Sequence, residues 1–161
     1  MNLRPATPAD FGFVRGLAQR PDYAPFISDD DEAALAAHLA NPAHRLLIWE
    51  SGAASGFALY CGIGDPSGAV ELRRLALADT GTGAGRGFLD DMIAYAFRDL
   101  GAQRLWLDAS SENPRAQRVY ERAGFTLEGR LRPHWFRPAL GRCVDLMRYG
   151  ILRDEWLARQ P

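Results

Sequence analysis

The chain has 161 residues, 47% hydrophobic and 24% charged, the proportions of an ordinary globular domain able to bury a sizeable core. Its formal net charge of −1 gives no global basic field of the kind that marks a nucleic-acid binder. No apolar run approaches the ~20 residues of a membrane span, and Met1 to Thr7 holds no signal-peptide core. A single cytoplasmic domain over 1–161, with no nucleic-acid and no membrane partner, is expected.

In chain order, Leu3 to Ala6 reads as a first strand. Thr7, Pro8 and Asp10 carry the signals of a helix start, and that helix is expected to run to Gln19. A loop follows over Arg20–Pro25. Asp29, Asp30 and Asp31 then precede an alanine-rich helix from Glu32 to Ala40, which Asn41-Pro42 ends. Arg45–Glu50, Ala53–Ile63 and Ala69–Ala78 read as strands joined by turns at Ser51-Gly52 and Gly64–Gly68. A glycine-rich turn opens a helix from about Arg86 to Leu100. Gln103–Ala109 is a strand that Asp108 closes, and Asn113–Ala123 a helix stopped by Gly124. Phe125–Phe136 and Arg142–Tyr149 would pair as a hairpin, before a helical tail over Asp154–Arg159. The order predicts an α/β fold, a mixed sheet with helices on both faces.

Cys61 and Cys143 lie in apolar strand-like runs, outside any metal-ligand spacing or disulfide framework. Both are expected to be buried or half-buried. His38, His44 and His134 are too scattered for a metal site, and no metal is expected.

The most informative segment runs from Leu72 to Leu89. An apolar strand enters a turn in which Gly81, Gly83, Gly85 and Gly87 alternate, and the turn opens a helix. Without Cβ atoms a ligand can lie against bare backbone, and the helix start offers unpaired N–H groups and a positive dipole end. That combination suits phosphate. A dinucleotide fingerprint is the competing reading, but no second βαβ unit of the expected size follows. The Gly-Lys-Ser/Thr of a P-loop is absent too.

Two blocks in this order resemble the GNAT acyltransferases, which use acetyl-CoA, and the resemblance covers nearly the whole chain. Thr82-Gly-Ala-Gly-Arg-Gly87 resembles the family's Gln/Arg-x-x-Gly-x-Gly/Ala loop, which binds the CoA pyrophosphate. Asn113-Pro-Arg-Ala-Gln-Arg-Val-Tyr-Glu-Arg-Ala-Gly-Phe125 resembles the family's Asn-x-x-Ala-x-x-x-Tyr-x-x-x-Gly-Phe helix. The stretch from Glu128 to Trp156 is similar to the branch that includes bacterial ribosomal-protein N-terminal acetyltransferases, a branch that also holds enzymes acting on small amines. Thr82 departs from the pattern: it brings no positive charge to the first loop position. Weaker CoA binding follows, which Arg86 offsets in part.

The resemblance implies a GNAT-like sheet of about six to seven strands with a splayed parallel pair that holds the cofactor. The pair would be Leu75-Ala76-Leu77 and Leu105-Trp106-Leu107, with a backbone N–H near Leu75 polarising the thioester carbonyl. Cofactor contacts are expected at Leu75, Ala76, Leu77, Thr82, Gly83, Ala84, Gly85, Arg86, Gly87, Phe88, Asn113 and Tyr120. Plain sheet core for the strand, and a helix cap for Asn113, are compatible readings.

Acetyl transfer to an amine needs a held thioester, a polarised carbonyl, a base for the amine and an acid for the thiolate. Tyr120 is the candidate acid, since Asn113, Ala116 and Tyr120 share one helical stripe. Asp108 and Glu71 are candidate bases beside the gap, and a water chain to bulk is a third route. Each also reads as a surface or strand-end carboxylate. His134 and Trp135 lie on the hairpin that lines the family's acceptor cleft. Asp22, Asp29, Asp30, Asp31 and Glu32 would attract a cationic amine at the entrance, or merely solvate helix starts.

The expected function is an acetyl-CoA-dependent N-acetyltransferase acting by direct attack in a ternary complex. Its acceptor would be a protein N-terminus or a small-molecule amine. The alternative is a catalytically weak acyl-CoA-binding module. Dimers are common in the branch, which leaves room for a homodimer.

Overall fold

The apolar runs assemble into one mixed sheet. The computed structural model describes residues 2–80 and 83–160. Its strands are β1 (Asn2–Pro5), β2 (His44–Ser51), β3 (Ala53–Cys61), β4 (Ala69–Leu77), β5 (Arg104–Ser110), β6 (Thr126–Arg137) and β7 (Arg142–Leu152). The helices are α1 (Phe11–Ala18, after a 3₁₀ turn at Pro8–Asp10), α2 (Glu32–Ala40), α3 (Ala84–Arg98), α4 (Pro114–Ala123) and α5 (Arg153–Leu157).

The strands lie in the order β1-β2-β3-β4-β5-β7-β6. Neighbours run antiparallel except β4 and β5, which are parallel. A parallel pair cannot be closed by a hairpin, so α3 makes the crossover. β7 enters between β5 and β6, which sequence adjacency does not announce.

Helices cover both faces, as the order of elements implies. On one face α3 buries Phe88, Leu89, Met92, Ile93, Ala96 and Phe97, a stripe recurring every three to four residues. Each of these side chains except Ala96 contributes roughly 1.5–3 kcal/mol on leaving water. Tyr120 of α4 and Trp156 of α5 join this core. On the other face Phe11, Val14 and Leu17 of α1 and Leu35 of α2 pack on β2 and β3.

Three local expectations change. The helix after the glycine turn begins at Ala84, two residues ahead of Arg86. Gly83 caps it in the left-handed region at φ 85°, which glycine adopts without the Cβ penalty. Asp108 lies inside β5, which continues to Ser110, because pairing with β7 persists through Ser110↔Leu146. Cys61 is buried, but Cys143 is exposed. It stands next to the turn of the last hairpin, paired with Phe136 of β6, a strand exposed along most of its length.

Candidate functional site

The parallel strands meet only at their starts. Ala69 pairs with Arg104, Val70 with Leu105 and Glu71 with Trp106; beyond that β4 keeps only β3 and β5 keeps only β7. The two strands therefore splay, as the resemblance implied. The gap opens into a cleft of about 820 Å³. Its lining comes from Gly85 and Phe88 of α3, from Asn113–Ala116 and Arg118–Tyr120, from Tyr23 and Phe26–Ser28, and from His134, Trp135 and Leu146.

Backbone geometry decides which groups face the gap. Ala78 N–H donates to the Ser55 carbonyl of β3 at 2.7 Å. Residues two apart share an edge, so Ala76 also faces β3 while Leu75 and Leu77 face the gap. The Tyr23 hydroxyl takes both polar groups of Leu77, accepting from its N–H at 2.9 Å and donating to its carbonyl at 2.9 Å. Leu75 is left with its N–H and C=O aimed into the cleft. Of the strand residues expected at the cofactor, Leu75 alone keeps its gap-facing backbone groups open.

At the mouth of the gap α3 begins without a side-chain cap. The N–H groups of its first three residues, Ala84, Gly85 and Arg86, have no intrahelical partner. A Cβ added at Gly83 would meet nothing within 4 Å, and one at Gly85 only Leu77 at 4.0 Å. The glycines thus leave open space above a row of donors, which fits a phosphate-bearing arm. Phe88 turns inward, edge-on to Trp49 at 5.4 Å, so it is core first and cleft floor second. Arg86 is exposed and, among the described residues, reaches only Asp90, at 3.6 Å. Thr82 lies outside the described residues.

Gly56 of β3 shows how close α3 comes. A Cβ there would sit 2.9 Å from the Ala76 carbonyl and 3.1 Å from the Phe88 ring.

On α4, Asn113 is the cap, its carbonyl accepting from Ala116 N–H at 3.1 Å. Tyr120 is 9% exposed, with its ring against Phe125 and Tyr149. Its hydroxyl makes no hydrogen bond among the described residues, and it is not sealed from the cleft it lines. Burial pushes the phenol well above its ordinary range, with Tyr23 adding to the effect. It therefore stays protonated. Arg115 and Arg118 line the same wall and make no ion pair among the described residues.

The two candidate bases differ. Asp108 takes Arg148 on both oxygens, at 2.9 and 3.0 Å. That guanidinium also stacks over Trp106 at 4.5 Å. Glu71 takes Arg73 on Oε2 alone, at 3.0 and 2.6 Å, and Oε1 makes no hydrogen bond among the described residues. Glu71 is also the last paired residue before the splay.

Four of the five entrance acids have partners, while the Glu32 carboxylate makes no hydrogen bond or ion pair among the described residues. Asp22 binds Arg20 at 2.9 and 2.7 Å, and that guanidinium holds its carboxyl below the usual range. Asp29 binds Arg15 and Gln19, and Asp31 caps α2 on Ala34 N–H at 2.8 Å. Asp30 takes Arg74 and, at 3.1 Å, His38. His38 in turn meets His44, Nδ1 to Nδ1, at 2.9 Å.

Two contributors escaped the sequence reading. One is Tyr23, whose hydroxyl ties the loop to β4. The other is Arg137, 3% exposed at the end of β6. Its guanidinium donates to the carbonyls of Ala24, Pro25 and Ile27 at 2.6, 2.9 and 2.7 Å, and to the Ser28 hydroxyl at 3.3 Å. It also stacks on Trp135 at 3.8 Å. More than a hundred residues separate the two ends of that contact, and no local pattern joins them.

A mixed sheet splayed beside a glycine-capped helix, with a tyrosine opening on the same gap, defines a class of acyl-carrier-arm binding folds. Residues 1–126 match the model described as "Acetyltransferase (GNAT) domain", and the chain belongs to that family. Among curated relatives, spermidine N(1)-acetyltransferase of Vibrio cholerae is 34% identical over 79 residues, 49% of this chain and 44% of that protein. An uncharacterized N-acetyltransferase of Mycobacterium tuberculosis is 42% identical over 62 residues, 37% of this chain and 39% of that one. The chain thus aligns to less than half the length of these curated relatives. Among solved structures, a chimeric spermidine N-acetyltransferase built in part from the Vibrio cholerae sequence superposes with a TM-score of 0.84 at 27% identity, covering 99% and 100% of the two chains. The Vibrio cholerae spermidine N-acetyltransferase in complex with CoA and spermine superposes at 0.86 over 97% of each chain; at 24% identity this shows the shared fold alone.

Proposed function

We propose that the chain is an acetyl-CoA-dependent N-acetyltransferase that moves an acetyl group to a primary amine by direct attack in a ternary complex. The observation that carries this is the splayed pair, with Leu75 open at its edge and the uncapped start of α3 at its mouth. Membership of the acetyltransferase family supports it. Bound acetyl-CoA supplies the activated acyl group. The first turn of α3, with Thr82 to Gly87, would hold its phosphates, helped by Arg86, Arg115 and Arg118. The strand Leu75–Leu77, Phe88 and Asn113 would hold its arm.

The Leu75 N–H is aimed to polarise a carbonyl lying in the gap. Tyr120, held protonated by burial, donates to the departing thiolate. Glu71 accepts the amine proton through Oε1, and Asp108 fixes Arg148 beside it. The acceptor is a small-molecule amine or a protein N-terminus. Similarity of the chain's end to the ribosomal-protein branch supports the second, while the likeness to spermidine acetyltransferases supports small amines. The reading includes one domain over 1–161, a cytoplasmic site of action and a homodimer. No described helix is long and apolar enough to cross a membrane.

A catalytically weak acyl-CoA-binding module is the second reading. Thr82 in the loop and the arginine partners on every cleft carboxylate favour it. The two separate in one experiment: a broad amine panel with acetyl-CoA, read by a thiol-detecting reagent and by mass of the product. Transfer to at least one amine is expected, with Tyr120→Phe lowering kcat about 100-fold while acetyl-CoA binding persists. Binding of acetyl-CoA with no thiol released from any amine would sink the enzyme reading.

A further inference from the structure

We infer that the acceptor half of the cleft selects an amine that carries its own carboxylate, an apolar α-amino acid rather than a polyamine, and that Arg74 receives that carboxylate. This rests on the acetyl-transfer reading above.

The first observation is charge balance. Asp22, Glu71 and Asp108 line this side of the cleft, and each is bound by an arginine: Asp22 and Asp108 on both oxygens by Arg20 and Arg148, Glu71 on Oε2 alone by Arg73. The acids behind the wall are likewise taken, Asp29 by Arg15 and Asp30 by Arg74. A polycation entering here would meet carboxylates each already paired with an arginine, with Glu71 Oε1 the one oxygen of the three that makes no hydrogen bond among the described residues: a place for one ammonium group, not several. Electrostatics therefore disfavours it.

The second observation is Arg74 itself. It lines the cleft from β4, with a side chain only 18% exposed. Asp30 fixes it through Nη1, while Nε and Nη2 make no hydrogen bond among the described residues. A half-buried guanidinium, oriented from behind and with donors to spare, is suited to a carboxylate. Glu71, three residues away on the same strand, keeps Oε1 free for an ammonium group. The rest of the wall is Phe26, Ile27, Trp135 and Leu146, which suits an apolar side chain. Amine, carboxylate and apolar body each have a counterpart.

The test uses the full chain saturated with CoA and reads acceptor binding by calorimetry, so that selection is scored apart from turnover. The probes are leucine, methionine and phenylalanine, the amides of each, and spermidine. The free acids are expected to bind about tenfold or more tighter than their amides, the effect of one charge-assisted hydrogen-bonded pair, and tighter than spermidine. Arg74→Ala should bring the free acids down to the level of the amides, and Arg74→Lys should restore part of the gap. Amides binding as well as acids, or spermidine binding best, overturns the inference and leaves acetyl transfer standing. The same probes run with acetyl-CoA give transfer. Acids that bind selectively but are never acetylated uphold the selection and count against the transferase reading.

Discussion

Of the carboxylates that line the cleft, Asp108 and Glu71 stand beside the splay, and their hydrogen bonds separate their roles. Asp108 has both oxygens fixed by Arg148, which suits it to hold an arm of the site in place. Glu71 keeps one oxygen open at the point where the strands part. Glu71→Gln is therefore expected to lower kcat about 100-fold while acetyl-CoA affinity stays. Asp108→Asn should cost less in kcat and lower thermal stability, since it strands Arg148 half-buried. Turnover rates and melting curves of both variants check this. An unchanged kcat in Glu71→Gln would remove Glu71 from proton transfer. At this scale the sequence was informative about residue types but not about partners. The stripe of Asn113 and Tyr120 was legible because helical spacing is local. That Glu71 is the freer base depends on Arg73 and Arg148, and nothing in the chain order tells which oxygens those guanidinium groups occupy.

Among elements, the decisive feature is the parting of β4 from β5 after three paired residues. The strands themselves, the glycine turn and the crossover helix were readable from apolar runs and punctuation. The insertion of β7 between β5 and β6 was not, because strand order is a long-range choice made by packing. The same holds for the clamp of Arg137 on the loop after α1, since a buried arginine at a strand end carries no sequence signature. That clamp joins the last hairpin to the first loop and so shapes the acceptor wall. Arg137→Ala removes hydrogen bonds to three carbonyls and a hydroxyl at once. A loss on the order of 3 kcal/mol of stability is expected, together with a raised KM for the acceptor and little change in acetyl-CoA affinity. Arg137→Lys should recover part of the stability and less of the KM, since an ammonium cannot fork to several carbonyls. Denaturant melts and acceptor titrations measure both. A KM that stays put in Arg137→Ala would show the loop to be held without it.

Over the whole molecule, pH acts through the histidine pair that backs the cleft. His44 meets His38 at 2.9 Å, His38 meets Asp30, and Asp30 holds Arg74 at the acceptor wall. Burial first, then the charges of His38 and Arg73, lower the pKa of His44 below its ordinary 6.5. The folded chain therefore resists a proton that the unfolded chain accepts. By linkage, stability is flat above about pH 6.5, falls as pH drops through that value, and levels off once the folded histidine also protonates. A second acid step lies lower. Arg4 holds the Asp10 carboxyl at about 2, so stability present above the ordinary 3.8 is lost as pH falls toward that value. Melting temperatures from pH 8 to pH 3 should show both steps. His44→Gln should abolish the upper one and leave the lower, whereas Asp10→Asn should do the reverse. If the His44→Gln and wild-type curves run parallel between pH 7 and 5, the histidine pair does not govern stability there. The geometry makes the coupling hard to avoid: two Nδ1 atoms at hydrogen-bond distance share one proton, and a second proton sets two donors against each other. The strain would pass to Asp30 and Arg74 before any other part of the cleft.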